Sequence, residues 1–140
     1  MGGPRLVPDL QARKWDRICD QYVSNPVQEI VADTIWERFD ETAVSRARGQ
    51  LDMAYGMLEV QLSANEFIAG DAFTIADCAA APGLFFALAI HPWDADRHPS
   101  LTRHYRELAQ RTSFAKVIAD ARPYRELFPL PWPDDFDRYH

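Results

Sequence analysis

The stretch Phe67-Ile68-Ala69-Gly70-Asp71-Ala72-Phe73-Thr74-Ile75-Ala76-Asp77-Cys78-Ala79-Ala80-Ala81-Pro82 decides the fold. It reads as a Gly70-Asp71 turn, a helix start at Thr74, and then a helix with almost no polar side. Thr74 stands three residues before Asp77, directly ahead of an apolar run, which is a capping-box spacing with Asp in the place usually taken by Glu or Gln. The Thr hydroxyl can accept from the third backbone N–H of the helix. The Asp carboxylate can reach back to the N–H of Thr74, and its charge suits the positive end of the helix dipole. Phe73 and Cys78 are placed to close a small hydrophobic staple. From Ile75 to Ile90 the only non-apolar side chain is Asp77, with Pro82-Gly83 in the middle. A helix apolar all round must be wrapped by other helices. It is too short, and too interrupted, for a membrane span. Thr74 and Asp77 are therefore read as architectural N-cap residues, with an enzyme acid as the alternative. On that reading Asp77→Ala costs about 1–3 kcal/mol and Thr74→Ala about 1 kcal/mol.

Working outward, the pattern stays helical. Ala12, Trp15, Ile18, Cys19, Tyr22 and Val23 recur at steps of three and four, with Arg13, Lys14, Arg17, Asp20 and Gln21 on the other face. Ser24-Asn25-Pro26 breaks or kinks this helix, which resumes from Val27 towards Phe39. Asp40-Glu41-Thr42 supplies capping residues for the next one. There Val44, Ala47, Leu51, Ala54, Leu58 and Leu62 form one stripe, and Met53, Met57, Val60 and Ala64 a second on the opposite side. Two apolar sides predict neighbours on both, inside the bundle or at an interface, with the methionines filling gaps in the core and a soft ligand wall as the alternative. His91-Pro92 stops the central helix. Pro99 opens another, facing Leu101, Tyr105 and Leu108 inward, and Thr112-Ser113 offers a cap for a last short one.

The ends read differently. Residues 1–9, with Gly2-Gly3-Pro4 and Pro8, predict an extended, linker-type lead-in. Residues 123–140, with Pro129, Pro131 and Pro133 between aromatic residues, predict an extended strap whose rings lie back on the helices or on a partner. The helical domain is then 10–122. Without sustained alternation or repeats, the fold class is all-α: about five to six helices around a buried central one.

At 140 residues the chain is one domain with room for a real core. The net charge of −6, carried without basic clusters, excludes nucleic acid and anionic lipid as expected partners. Cys19 and Cys78 stand far apart, so neither a disulfide framework nor a zinc site is expected, and a reducing, cytoplasmic location is. No secretion signal opens the chain. His91, His98, His104 and His140 have no metal-ligand spacing. No glycine-rich phosphate loop and no nucleophile elbow occurs. Cys19, sharing a helix face with Trp15 and Tyr22, is the one candidate nucleophile, and apolar burial would make it inert. No catalytic residue is expected in this chain.

Phe67 to Asp77 resembles the turn and capped helix of the glutathione S-transferase C-terminal domain. Leu51 to Leu62 is similar to the long helix before it, and His98-Pro99-Ser100-Leu101 with Tyr105 to the helix after it. Arg111-Thr112-Ser113-Phe114 and Ala121-Arg122-Pro123-Tyr124 resemble the closing segments, and Gly3-Pro4-Arg5-Leu6-Val7-Pro8 the interdomain linker of a bacterial transferase. The resemblance implies that glutathione is held by a thioredoxin-like N-terminal domain, which nothing in these residues matches. The chain is then expected to be inactive by itself, with glutathione as cofactor only if that domain is supplied.

By the same resemblance the helical domain walls the hydrophobic second-substrate pocket. The candidates are Trp15, Cys19 and Tyr22, with Phe86 beside them, and packing is the competing role for each. Surface facing a thioredoxin-like domain would expose roughly 600–1,500 Å². Apolar patches of that size find partners, so a homo-oligomer, a separate subunit or a small hydrophobic ligand is expected. A stand-alone interaction module or a carrier of small hydrophobic compounds is the alternative function.

Overall fold

The computed structural model describes residues 3–140, with side chains from residue 9 onward. Helix α1 spans Gly3–Cys19 and passes through a π-helical turn, Asp20–Ser24, into α2, Asn25–Ile35. Then come α3, Glu41–Ala64; α4, Ile75–Ile90; α5, Pro99–Gln110; and α6, Thr112–Ala121. Two 3-10 turns, Arg122–Leu127 and Phe136–Tyr139, follow. Among the described residues the only β feature is a Phe67–Gly70 bridge in the turn before α4, where Gly70 takes φ +145°, a region open to glycine. The fold is an all-α bundle.

Helix α4 is its axis. Ala76, Ala80, Leu84, Ala87 and Leu88 are essentially inaccessible, enclosed by α1, the π-helical turn, α2 and α5. Its closest crossing is at Gly83. A Cβ built there would lie 2.9 Å from Ser24 Oγ and 3.1 Å from Val23 Cγ1, so glycine is what lets the π-helical turn sit against α4. The turn answers Pro26. A proline ring in a continuous α-helix collides with the carbonyl four residues back, and one wider turn relieves the collision without ending the helix. The sequence reads a break or a kink at Ser24-Asn25-Pro26; the chain makes a π-helical bulge just before the proline and continues as helix.

Both ends of α4 are fastened by other parts of the chain. At its C-terminus Arg48 Nη1 donates to the Ile90 carbonyl at 2.7 Å, and the Tyr55 hydroxyl to the His91 carbonyl at 2.7 Å. These satisfy carbonyls the helix cannot pair itself. Helix α5 is started by the same kind of non-local help. The Glu59 carboxylate of α3 accepts from the N–H groups of Leu101 at 2.9 Å and Ser100 at 3.3 Å.

Several expectations need correction. Over residues 1–9, Met1 and Gly2 lie outside the described residues, and the backbone is helical from Gly3 instead of extended. Pro4 is compatible because first-turn N–H groups have no intrahelical acceptor. The second α3 stripe is not core: Met53, Met57 and Val60 are 53%, 36% and 73% exposed. Among the described residues nothing packs over them, so their periodicity marks an open face. Thr112 does not cap α6; Arg111 holds the N-cap position without a side-chain bond. The tail does lie back on the helices, but through 3-10 turns, with Phe136 and Tyr139 buried. Prolines removed donors there without preventing local turns.

Candidate functional site

Helix α4 is not covered all round. Ile75, Cys78, Pro82 and Phe86, spaced three and four residues apart, form one open stripe. Beside its C-terminal half lies an apolar groove of about 550 Å³. Val27, Val31, Ile35 and Trp36 of the α2 side form one wall, and Phe86 and Phe128 the other. Among the described residues Ser24 and Gln28 are the only polar ones lining it, and no charged one does. Trp36 is 70% exposed and Phe86 38% exposed. Three rings at the rim of an apolar cleft suit a flat, neutral ligand with a single hydrogen-bonding group.

The residues proposed from the sequence divide. Phe86 lines the groove. Trp15 and Cys19 do not: both are core side chains, 6% and 1% exposed, packed where α1 meets α4. Burial, with Asp16 and Asp77 adding to it, pushes the Cys19 thiol up to about 12. A thiol so held is neither nucleophile nor ligand contact. Tyr22 is half-buried against the same core and is not part of the groove. The periodicity that marks an inward face cannot separate a core wall from a pocket wall.

The capping pair is part of a larger buried network. Thr74 Oγ1 accepts from the Ala76 N–H at 3.2 Å, and Asp77 Oδ2 from the Thr74 N–H at 2.9 Å. Asp77 Oδ1 takes the Ile68 N–H at 3.1 Å and lies 2.7 Å from Nε2 of His104. Asp77 and His104 are 0% and 1% exposed. Burial pushes the Asp77 carboxyl up, but the bonds from His104, Thr74 and Ile68, with the His104 charge, outweigh it and hold the carboxyl below its ordinary value. His104 Nδ1 is buried with no partner. The pair is sealed in the core and joins α4, α5 and the turn before α4.

The profile described as glutathione S-transferase, C-terminal domain, matches residues 41–107. Glutathione S-transferase GstB of Escherichia coli is 26% identical over 111 residues, 77% of this chain and 53% of that protein. Glutathione S-transferase A of Pleuronectes platessa is 27% identical over 121 residues, 79% of this chain and 53% of that protein. Among solved structures, FzlA from C. crescentus superposes with a TM-score of 0.72 at 22% identity, covering 96% of this chain and 59% of that one. The helical bundle is of the glutathione S-transferase C-terminal-domain type. It spans about half the length of the curated relatives it matches.

Sequence reasoning missed the groove wall of Val27, Val31, Ile35 and Trp36, as well as His104 and Phe128. His104 stands 27 residues from Asp77, and no local spacing announces a bond between adjacent helices. Phe128 sits among the tail prolines, where a ring signals burial but not the wall it joins. Among the described residues no three His, Cys, Asp or Glu side chains converge on a metal position, and no helix is long and apolar enough to cross a membrane.

Proposed function

We propose that this transferase domain supplies the apolar wall against which a hydrophobic co-substrate is held for reaction with glutathione. The groove between α2, α4 and Phe128 carries the reading. Its size lies within the roughly 300–1,000 Å³ usual for small-molecule sites, and its lining is ring-rich and uncharged. The chemistry is attack of the glutathione sulfur on an electrophilic carbon. No cysteine, tyrosine or charged side chain lines the groove to activate a thiol. These 140 residues by themselves are inactive on this reading, and the glutathione-holding groups belong to a thioredoxin-like fold beyond them.

Two measurements test it. The chain mixed with glutathione and 1-chloro-2,4-dinitrobenzene gives no turnover above the uncatalysed rate; turnover there overturns the assignment of inactivity. Calorimetry with a neutral aromatic ligand shows binding with a negative heat-capacity change, abolished by Phe86→Asp. A variant that binds as well as the parent removes the groove from consideration. Binding without a contribution to turnover, once a glutathione-holding domain is supplied, favours the carrier alternative.

The outer face of α3 favours a second partner, another copy of this chain. Met53, Met57 and Val60 are exposed, and Gly49 and Gly56 open onto free space. In an antiparallel pairing with its two-fold axis between Gly56 and Met57, each Gly56 receives the Met57 of the other copy. Met53 then meets Val60, and Gly49 meets Ala64. Gly56 makes room for Met57, and every contact is repeated by the two-fold axis, as an isologous interface requires. Sedimentation shows a dimer that Met57→Glu dissociates; a parent that stays monomeric at tens of micromolar refutes it.

A further inference from the structure

His140, the last residue of the sequence, is not a surface side chain. Its imidazole is 3% exposed. It is caged by the rings of Phe136, Tyr105 and Phe85, with centroids at 4.9, 5.5 and 5.7 Å. Its Nε2 lies 2.7 Å from the Tyr105 hydroxyl oxygen. From this plug a ladder of rings runs back at four-residue steps. His140 meets Phe136, Phe136 meets Trp132 at 4.8 Å, and Trp132 meets Phe128 at 4.9 Å. Phe128 faces Phe86 across 5.6 Å and is itself a wall of the apolar groove. One piece of chain is thus anchored at His140 and shapes the groove at Phe128.

The geometry points to an acid-released strap: a proton on His140 expels its imidazole from the aromatic slot, loosens residues 122–140, and withdraws Phe128 from the groove, so that an apolar ligand is held near neutral pH and released in mild acid. The ligand half of this inference rests on the groove reading above; the strap half does not.

The slot is built for a neutral ring. From α4 it is faced by Phe85, and from α5 by the Tyr105 phenol, which burial keeps un-ionised by pushing its pKa up. A bare Nε2 accepts the Tyr105 proton, whereas a protonated one forces the hydroxyl to turn and accept. Three charged groups bear on the ring. Asp137 Oδ1 lies 3.8 Å from Nδ1 and favours the proton. That carboxylate is already engaged by Arg125 at 2.9 and 3.0 Å and by Arg122 at 3.2 Å, and both guanidinium groups oppose the proton. Arg106 and Arg138 stack on the Tyr139 ring instead. Burial is the largest influence and, with the arginines, outweighs Asp137 and the Phe136 backbone, so the docked imidazole titrates below its ordinary 6.5. A histidine depressed by docking contributes fully above the undocked value. That contribution is lost as pH falls through 6.5 towards the docked value.

The test uses the full chain between pH 8 and 5, with three readouts: the His140 ring titration by NMR, amide exchange over residues 122–140, and affinity for the neutral dye N-phenyl-1-naphthylamine. His140 titrates below 6.5, tail exchange accelerates in step with it by about tenfold per unit of depression, and dye affinity falls in proportion to the fraction of undocked strap. His140→Phe keeps a ring in the slot without a titrating group, and both exchange and dye binding become flat with pH. A His140 titration at or above 6.5, or a His140→Phe variant that retains the parent's pH dependence, overturns the strap. Dye binding unaffected by Phe86→Asp refutes the groove reading alone, while the NMR and exchange readouts still decide the strap.

Discussion

Two imidazoles are buried around α4, and they are held by opposite means. His104, near the front of the helix, meets the Asp77 carboxylate at 2.7 Å; His140, from the tail, meets the Tyr105 phenol at 2.7 Å. An anion partner can balance a proton on the ring, and a phenol cannot. The same side chain at similar burial is therefore joined to a carboxylate at one junction and to a phenol at the other. The rest of each network agrees. Asp77 collects bonds from three elements, whereas the tail is secured by rings and by salt bridges of Asp137, which is half-exposed.

The comparison can be broken most directly at Asp77. Asp77→Ala strands the N–H groups of Ile68 and Thr74 together with His104, and removing one partner of a buried pair costs about 3–5 kcal/mol. That exceeds the 1–3 kcal/mol suggested by a cap alone, because the sequence shows only the Thr74 bond. Chemical denaturation measures it, and a loss below 2 kcal/mol would mean that His104 adds nothing. His104→Ala comes next, at about 1.5–3 kcal/mol for a bond to a charged group, read the same way.

Acid separates the two junctions by pH. Asp77 has a depressed carboxyl pKa, so its contribution is complete above the ordinary 3.8 and lost only as pH falls below that, through the folded value. Melting temperature followed from pH 7 to 2 shows this late loss, which Asp77→Asn removes. Tail exchange responds earlier, below pH 6.5. Thr74→Ala costs about 1 kcal/mol, the worth of one cap hydroxyl, in the same denaturation series. Met57→Glu changes sedimentation while leaving the stability of the dissociated monomer within about 0.5 kcal/mol, since there the side chain is on the surface.

Much of the architecture was legible because it rests on short-range rules. Thr74 and Asp77 are three residues apart and cap α4 with their own turn. Asp40 caps α3 through the Ala43 N–H three residues on. Leu101, Tyr105 and Leu108 face inward at helical steps. The misreadings share one cause: periodicity reveals that a face is apolar, not what covers it. Trp15 and Cys19 repeat like a pocket wall and lie in the core, while Met53 and Met57 repeat like core and lie open. Phe86 was the weaker candidate after Trp15, Cys19 and Tyr22, and only the packing of Phe128 against it made it a wall.

The amino-acid sequence by itself determined the helices, their local starts and the all-α class, since each follows from bonds and side-chain spacings within a few residues. Tertiary structure alone decided which carboxylate starts α5, which histidine completes the Asp77 network, and which rings border the groove. Glu59 and Leu101, Asp77 and His104, and Phe86 and Phe128 are each separated by 27 residues or more. Their bonds and contacts exist only after the helices have been brought together, because burial, not local propensity, sets who meets whom.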